Sequence, residues 1–237
     1  MIMHTKVFGE GDPIVFLHTG LQTGMMDFEY QREYFKDNYK VILPDLRGHG
    51  RSETDDLSNY FEASVNDMGE TLNHLEVESA HIVGCSLGAL VGLSFAKKEP
   101  QKVRSLTISG IMSKEPNRWS EMHKEDIKHQ NQTLQNPDVA NYFEKLHKSN
   151  WRKLLKETQN VNWYPFELTK DLKGITSPIL YMVGEGKKSE TKGALLYPAM
   201  HKNVHVCIIP FASHLVHHEQ PELYTQVLEK FLQQVNH

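Results

Sequence analysis

A chain of 237 residues with 39% hydrophobic and 24% charged residues has the composition of a single globular domain, which excludes disordered, collagen-like and coiled-coil classes. Its formal net charge of -4 gives no concentrated basic surface for nucleic acid or an anionic membrane, leaving a small molecule as the expected partner. Cys85 and Cys207 make no disulfide framework, and the first twenty residues lack the charged n-region and long apolar core of a leader, so the expected setting is the cytoplasm.

In chain order, short β-rich runs alternate with helical patterns. Strands are expected at Thr5 to Gly9, Ile14 to Leu17, Val41 to Leu43, Ala80 to Val83, Val103 to Ser109, Pro178 to Val183 and Val204 to Pro210. Helices are expected at Asp27 to Phe35, Tyr60 to Leu75, Leu87 to Lys98 and Pro221 to Val235, the last with Leu223, Val227, Leu228, Phe231 and Leu232 on one face. This alternation predicts an α/β fold with a mostly parallel central sheet covered on both faces. Between Met112 and Glu167 the strand signals stop. The text becomes polar and helical, with Trp119, Trp151 and Trp163 spread along it. Residues 1–111 and 168–237 are therefore read as the core, and 112–167 as a helical insertion.

The strongest local signal is Gly84-Cys85-Ser86-Leu87-Gly88, a G-x-S-x-G sequence joining a buried strand to a helix. The flanking glycines suit a sharp turn that holds Ser86 in strained geometry at a helix N-terminus, where backbone N–H groups stabilise negative charge. Late in the chain, His214 in SHLVHHEQPE follows the last strand, where a general base for Ser86 belongs; His217 and His218 read as structural. In VFLHTGLQTG, Gly20 and Gly24 free a loop for close backbone approach. The N–H of Gly20, or of Leu21, would join that of Leu87 in an oxyanion hole, with His18 bracing the loop. Met25 and Met26 suit either an acyl pocket or the core, and the tryptophans either walls of a substrate cavity or staples of the inserted helices to the core. His123, Glu125, Asp126 and His129 lack the H-E-x-x-H spacing, and no dinucleotide or phosphate-loop fingerprint occurs, so neither metal nor cofactor is expected.

Taken together, His18-Thr19-Gly20, LPDLRGHGRS at Leu43 to Ser52, the GCSLG pentapeptide and SHLVHHEQPE resemble the α/β-hydrolase superfamily over nearly the whole chain. The resemblance implies that Asp45 and Arg47 are scaffold, that residues 112–167 form a lid, and that the chemistry runs through a Ser86 acyl-enzyme with His214 as base. One departure concerns the third catalytic group. The family places an aspartate where this chain has Lys187, in Gly184-Glu185-Gly186-Lys187, so the acid is expected at Glu190, with Glu185 as the alternative. The resemblance implies a carboxylesterase-like serine hydrolase of small molecules. Its alternatives are a serine C–C bond hydrolase or lyase, and a small-ligand sensor keeping a relic site.

Overall fold

The apolar runs become seven strands in the computed structural model, which describes residues 1–235: β1 (Thr5–Phe8), β2 (Asp12–Leu17), β3 (Tyr39–Pro44), β4 (Ala80–Cys85), β5 (Val103–Ser109), β6 (Ile179–Gly184) and β7 (Val204–Ile209). They form one sheet in the order β1-β3-β2-β4-β5-β6-β7; β1 runs antiparallel to β3 and every other pairing is parallel. Because strand side chains alternate between faces, each central strand feeds two cores. Val15, Leu17 and Ile82 enter one; Ile14, Phe16 and Val83 enter the other.

The α-helices among the described residues are α1 (Gly24–Asp27), α2 (Glu29–Phe35), α3 (Tyr60–His74), α4 (Leu87–Lys98), α5 (Trp119–Leu134), α6 (Pro137–Leu146), α7 (Trp151–Thr158), α8 (Phe166–Thr169), α9 (Lys188–Thr191), α10 (Gly193–Met200), α11 (Val216–Glu219) and α12 (Pro221–Val235). Helices α3 and α4 fill the first core, and α2 and α12 the second. Each fully buried aliphatic or aromatic side chain there contributes about 1.5–3 kcal/mol relative to exposure. No helix among the described residues is long and apolar enough to cross a membrane.

Two expectations are corrected in detail. The single helix expected at Asp27 to Phe35 is split, because Phe28 leaves helical geometry (φ −106°, ψ 42°) to bury its ring against Phe16 and His217. The buried stripe of α12 is centred on Tyr224, Leu228, Phe231 and Leu232, while Leu223 is exposed. Tyr224, one residue on, takes the inward position that apolarity alone assigned to Leu223.

Helices α5 to α8 lie between β5 and β6 in the chain. Asn136 and Asn150 cap α6 and α7 with side-chain oxygens that accept from the N–H groups of Asp138 and Lys153. Trp163 ties the insertion to the core by packing on Tyr60 and Phe61 of α3, whereas Trp151, buried against Phe143, and Trp119, which packs on Tyr164 and Phe166 and donates its indole N–H to Val161 O, join parts of the insertion to each other. The insertion is also tied to the core by His147, whose Nδ1 accepts from Gly50 N–H at 2.8 Å and whose Nε2 donates to the Leu21 carbonyl at 3.1 Å.

Candidate active site

Ser86 occupies the single residue between β4 and α4, at φ 53° and ψ −117°, a region L side chains rarely adopt. Hydrogen bonds hold the turn: Ser86 N–H donates to Ser109 O at 2.9 Å, and Ser86 O accepts from Leu90 N–H at 3.1 Å. The flanking glycines are required by backbone contact. A Cβ on Gly84 would sit 2.5 Å from the Gly88 carbonyl, and one on Gly88 would sit 2.0 Å from Leu17 O at the end of β2. The N-terminus of α4 is thereby pressed against the start of the loop carrying Gly20. As the first residue of α4, Leu87 has an N–H with no intrahelical acceptor, so it is available to an oxyanion.

That loop is fixed from beneath. His18, fully buried, pairs Nδ1 with Thr19 O at 2.8 Å and accepts from Leu46 N–H through Nε2 at 2.8 Å; burial lowers its pKa, so it stays a neutral brace. Thr19 N–H donates to Asp27 Oδ2 at 2.5 Å. A Cβ at Gly20 would meet nothing within 4 Å, whereas one at Gly24 would collide with the backbone of Leu43 and Pro44. The close approach expected of Gly24 is thus to β3 and not to Ser86. Asp45 accepts from the N–H groups of Gly24 and Arg51, and Arg47 pairs with Asp67 at 2.7 Å, both tightening the scaffold.

His214 follows β7 on a loop clamped by one side chain: Glu219 accepts from Ser213 N–H and Leu215 N–H, both at 2.8 Å. Its Nδ1 lies 2.7 Å from Glu190 Oε1, and Glu190 is buried. The other carboxylate oxygen of Glu190 has no hydrogen-bond partner, so the group's interaction is concentrated on the imidazole. Nε2 is left as the nitrogen free for proton transfer. The imidazole also lies near the elbow, since one point, the position of a Cβ on Gly110, is 3.2 Å from His214 Cε1 and 3.0 Å from Ser86 N.

Lys187 stands just before α9, and Glu190 N–H donates to its carbonyl at 2.9 Å. The turn so formed carries Glu190 inward one turn after the lysine, and Tyr181 OH, 2.7 Å from Glu190 O, supports it. Glu185 is turned away, accepting from Phe211 N–H at 2.9 Å. Cys85, buried, directs its thiol to the His214 carbonyl at 3.7 Å, and burial pushes its pKa well up, so it packs beneath the histidine loop as an inert thiol. Both cysteines are free.

The sequence profile described as alpha/beta hydrolase fold matches residues 12–159. The chain belongs to the alpha/beta hydrolase fold family. Within that family it is similar to NosK from Streptomyces actuosus, at 25% identity and a TM-score of 0.84 over 96% of this chain and 100% of that one. It shares its fold with an esterase from Thermogutta terrifontis, at 21% identity and a TM-score of 0.71, covering 98% of this chain and 93% of the other. It is also 29% identical to 3-oxoadipate enol-lactonase 2 of Acinetobacter baylyi over 47% of this chain and 42% of the lactonase. The match spans about two fifths of the length of such curated relatives.

Sequence reasoning missed Asp27, His147 and Glu219. Asp27 joins the Thr19 loop to His217 and His218, with Oδ1 at 3.1 and 2.8 Å from their Nε2 atoms. Burial pushes its pKa up, but the bonds from both histidines outweigh it and hold the carboxyl far below the usual range. The exposed Met26 faces a separate cavity with these histidines, while Met25 packs in the second core.

Proposed function

We propose that this protein is a serine hydrolase of small-molecule esters, carboxylesterase-like, with Ser86 as nucleophile, His214 as general base and Glu190 as the acid. The observation that carries this reading is the 2.7 Å contact between Glu190 Oε1 and His214 Nδ1, made by a buried carboxylate beside a serine in strained elbow geometry. The chain order Ser86, Glu190, His214 is the order of nucleophile, acid and base in this architecture.

In the first half-reaction His214 Nε2 takes the hydroxyl proton as Ser86 Oγ attacks the carbonyl carbon. The N–H groups of Leu87 and Gly20 receive the oxyanion, a contribution of about 3–4 kcal/mol per donor. Collapse of the tetrahedral species breaks the C–O bond, and the alcohol leaves with the proton from His214. Water then attacks the acyl-enzyme, giving a proton to His214, and the carboxylic acid departs as Ser86 is restored. Relatives named as an enol-lactonase and an esterase are compatible with an ester or lactone, while others are named as a carbamate hydrolase and a proline iminopeptidase, so the choice of an ester rests on the assay below.

A p-nitrophenyl ester series from acetate to octanoate, run with an active-site phosphonate, tests the reading on the native protein and Ser86→Ala. Turnover and labelling that both disappear in Ser86→Ala are expected, with the best chain length reporting pocket depth. A folded native protein that neither turns over nor labels would overturn the proposal in favour of a ligand sensor or a C–C hydrolase.

A further inference from the structure

Behind the histidine loop, three donor atoms converge on one point. Asp27 Oδ1 lies 3.1 Å from His217 Nε2 and 2.8 Å from His218 Nε2, and the three ligand atoms all fall within 4.8 Å of one another. Consecutive residues on a helix normally point about 100° apart. The start of α11 instead aims both rings at one carboxylate oxygen.

We propose that Asp27, His217 and His218 form a binding site for one divalent transition-metal ion of the zinc class, with water completing the tetrahedron. Two imidazole nitrogens and a carboxylate are a zinc donor set. Tetrahedral bonds of about 2.0–2.1 Å place donors about 3.3 Å apart, so admitting the ion takes an opening of the 2.8 and 3.1 Å separations from Asp27 Oδ1 by a few tenths of an ångström, with the two imidazole nitrogens, which lie within 4.8 Å of each other, brought to the same spacing. Each neutral imidazole must move its proton from Nε2 to Nδ1. His218 is partly exposed, so its Nδ1–H can meet solvent, whereas His217 Nδ1 is buried with no hydrogen-bond partner, so its N–H would carry a desolvation cost that metal binding has to exceed.

The site also has an entry. Asp27, His217 and His218 line a cavity of about 600 Å³ with Met26, Tyr30 and Pro221. Glu29 and Glu33 line it too, paired with Arg32 and, for Glu33, also with Lys36. Asp27 Oδ2 meanwhile accepts from Thr19 N–H, so an ion here would join the Thr19–Gly20 loop to the segment carrying His214. The site lies apart from the Ser86 hydroxyl chemistry and does not depend on it.

Chelator-treated protein titrated calorimetrically with Zn²⁺, and with Co²⁺ followed by visible absorption, tests the assignment. One ion per chain and the intense bands of tetrahedral cobalt are expected. His218→Ala, at a half-exposed position, should fold with a native circular dichroism spectrum and weaken binding by about a hundredfold. His205→Ala and Cys207→Ser, which remove the donors at alternate positions of β7, should leave it unchanged. Absence of saturable binding to the native protein, or unaltered affinity in folded His218→Ala, would overturn the site.

Discussion

Replacing Glu190 by glutamine keeps shape and removes charge, so it isolates what the carboxylate contributes to His214. Glu190 is 3% exposed and His214 38% exposed, with 2.7 Å between Oε1 and Nδ1. In the proposed mechanism the imidazole becomes a cation during attack, with its charge centre about 4 Å from that of the carboxylate. At an effective dielectric of about 20 that pair is worth about 4 kcal/mol, and one decade of rate corresponds to about 1.4 kcal/mol. Glu190→Gln should therefore lose about a thousandfold in kcat/KM. An amide that turns its NH₂ towards Nδ1 would favour the wrong tautomer and enlarge the loss to about ten-thousandfold. The assay is p-nitrophenyl acetate hydrolysis over a pH series, with thermal unfolding as the check on folding. Glu185→Gln, which removes the charge but keeps an amide oxygen able to accept from Phe211 N–H, should stay within about threefold of the native rate. Native-like activity in Glu190→Gln, or the large loss appearing in Glu185→Gln instead, would refute the assignment.

Gly88→Ala drives a Cβ to 2.0 Å from Leu17 O and should cost about 3 kcal/mol or more, read as a lowered Tm or loss of soluble protein. Gly69→Ala, inside α3 with nothing within 4 Å, should instead stabilise by about 0.5–1 kcal/mol. His147→Ala removes partners of Gly50 N–H and Leu21 O and should cost about 1–3 kcal/mol in denaturant unfolding. Burial holds His18, His49 and His147 below the ordinary histidine pKa, with His217 in the same direction and His218 opposed through its bond to Asp27. Groups whose folded pKa is depressed bind fewer protons than the unfolded chain. Their contribution is present above about pH 6.5 and is lost as pH falls below it, by up to about 1.4 kcal/mol per pH unit for each histidine. A Tm that stays flat from pH 7 to 5 would contradict this, and His147→Ala should make the acid decline shallower.

Elements whose pattern is local were legible in the sequence. Five parallel strands, β2 to β6, announce themselves as apolar runs because both faces are largely buried, edge strand β7 is legible from its β-branched residues although half-exposed, and Ser86 is marked by glycines that backbone contact demands. His214 follows from its place after the last strand. Glu190 was harder, because a lysine holds the expected position and only the turn Lys187–Glu190 reveals that a residue further on reaches inward. Asp27 carried no signal at all: it reads as an ordinary helix-start acid, and its partners His217 and His218 are 190 and 191 residues away. The break at Phe28 was hidden for the same reason, since what draws that ring inward is His217 and Phe16.

The passage from β5 to β6, from Ser109 to Ile179, has a consequence for how the molecule assembles. Bringing those two strands together closes a loop of roughly 70 residues, yet loop-closure entropy grows only with the logarithm of length, so the excess over a 15-residue crossover is about 1.4 kcal/mol. Tertiary anchors such as His147 and Trp163 are of a size to offset that. Insertions or deletions among α5 to α8 should therefore be far easier to accommodate than a single methyl group at Gly88, so this segment can lengthen or shorten while the sheet below keeps its register.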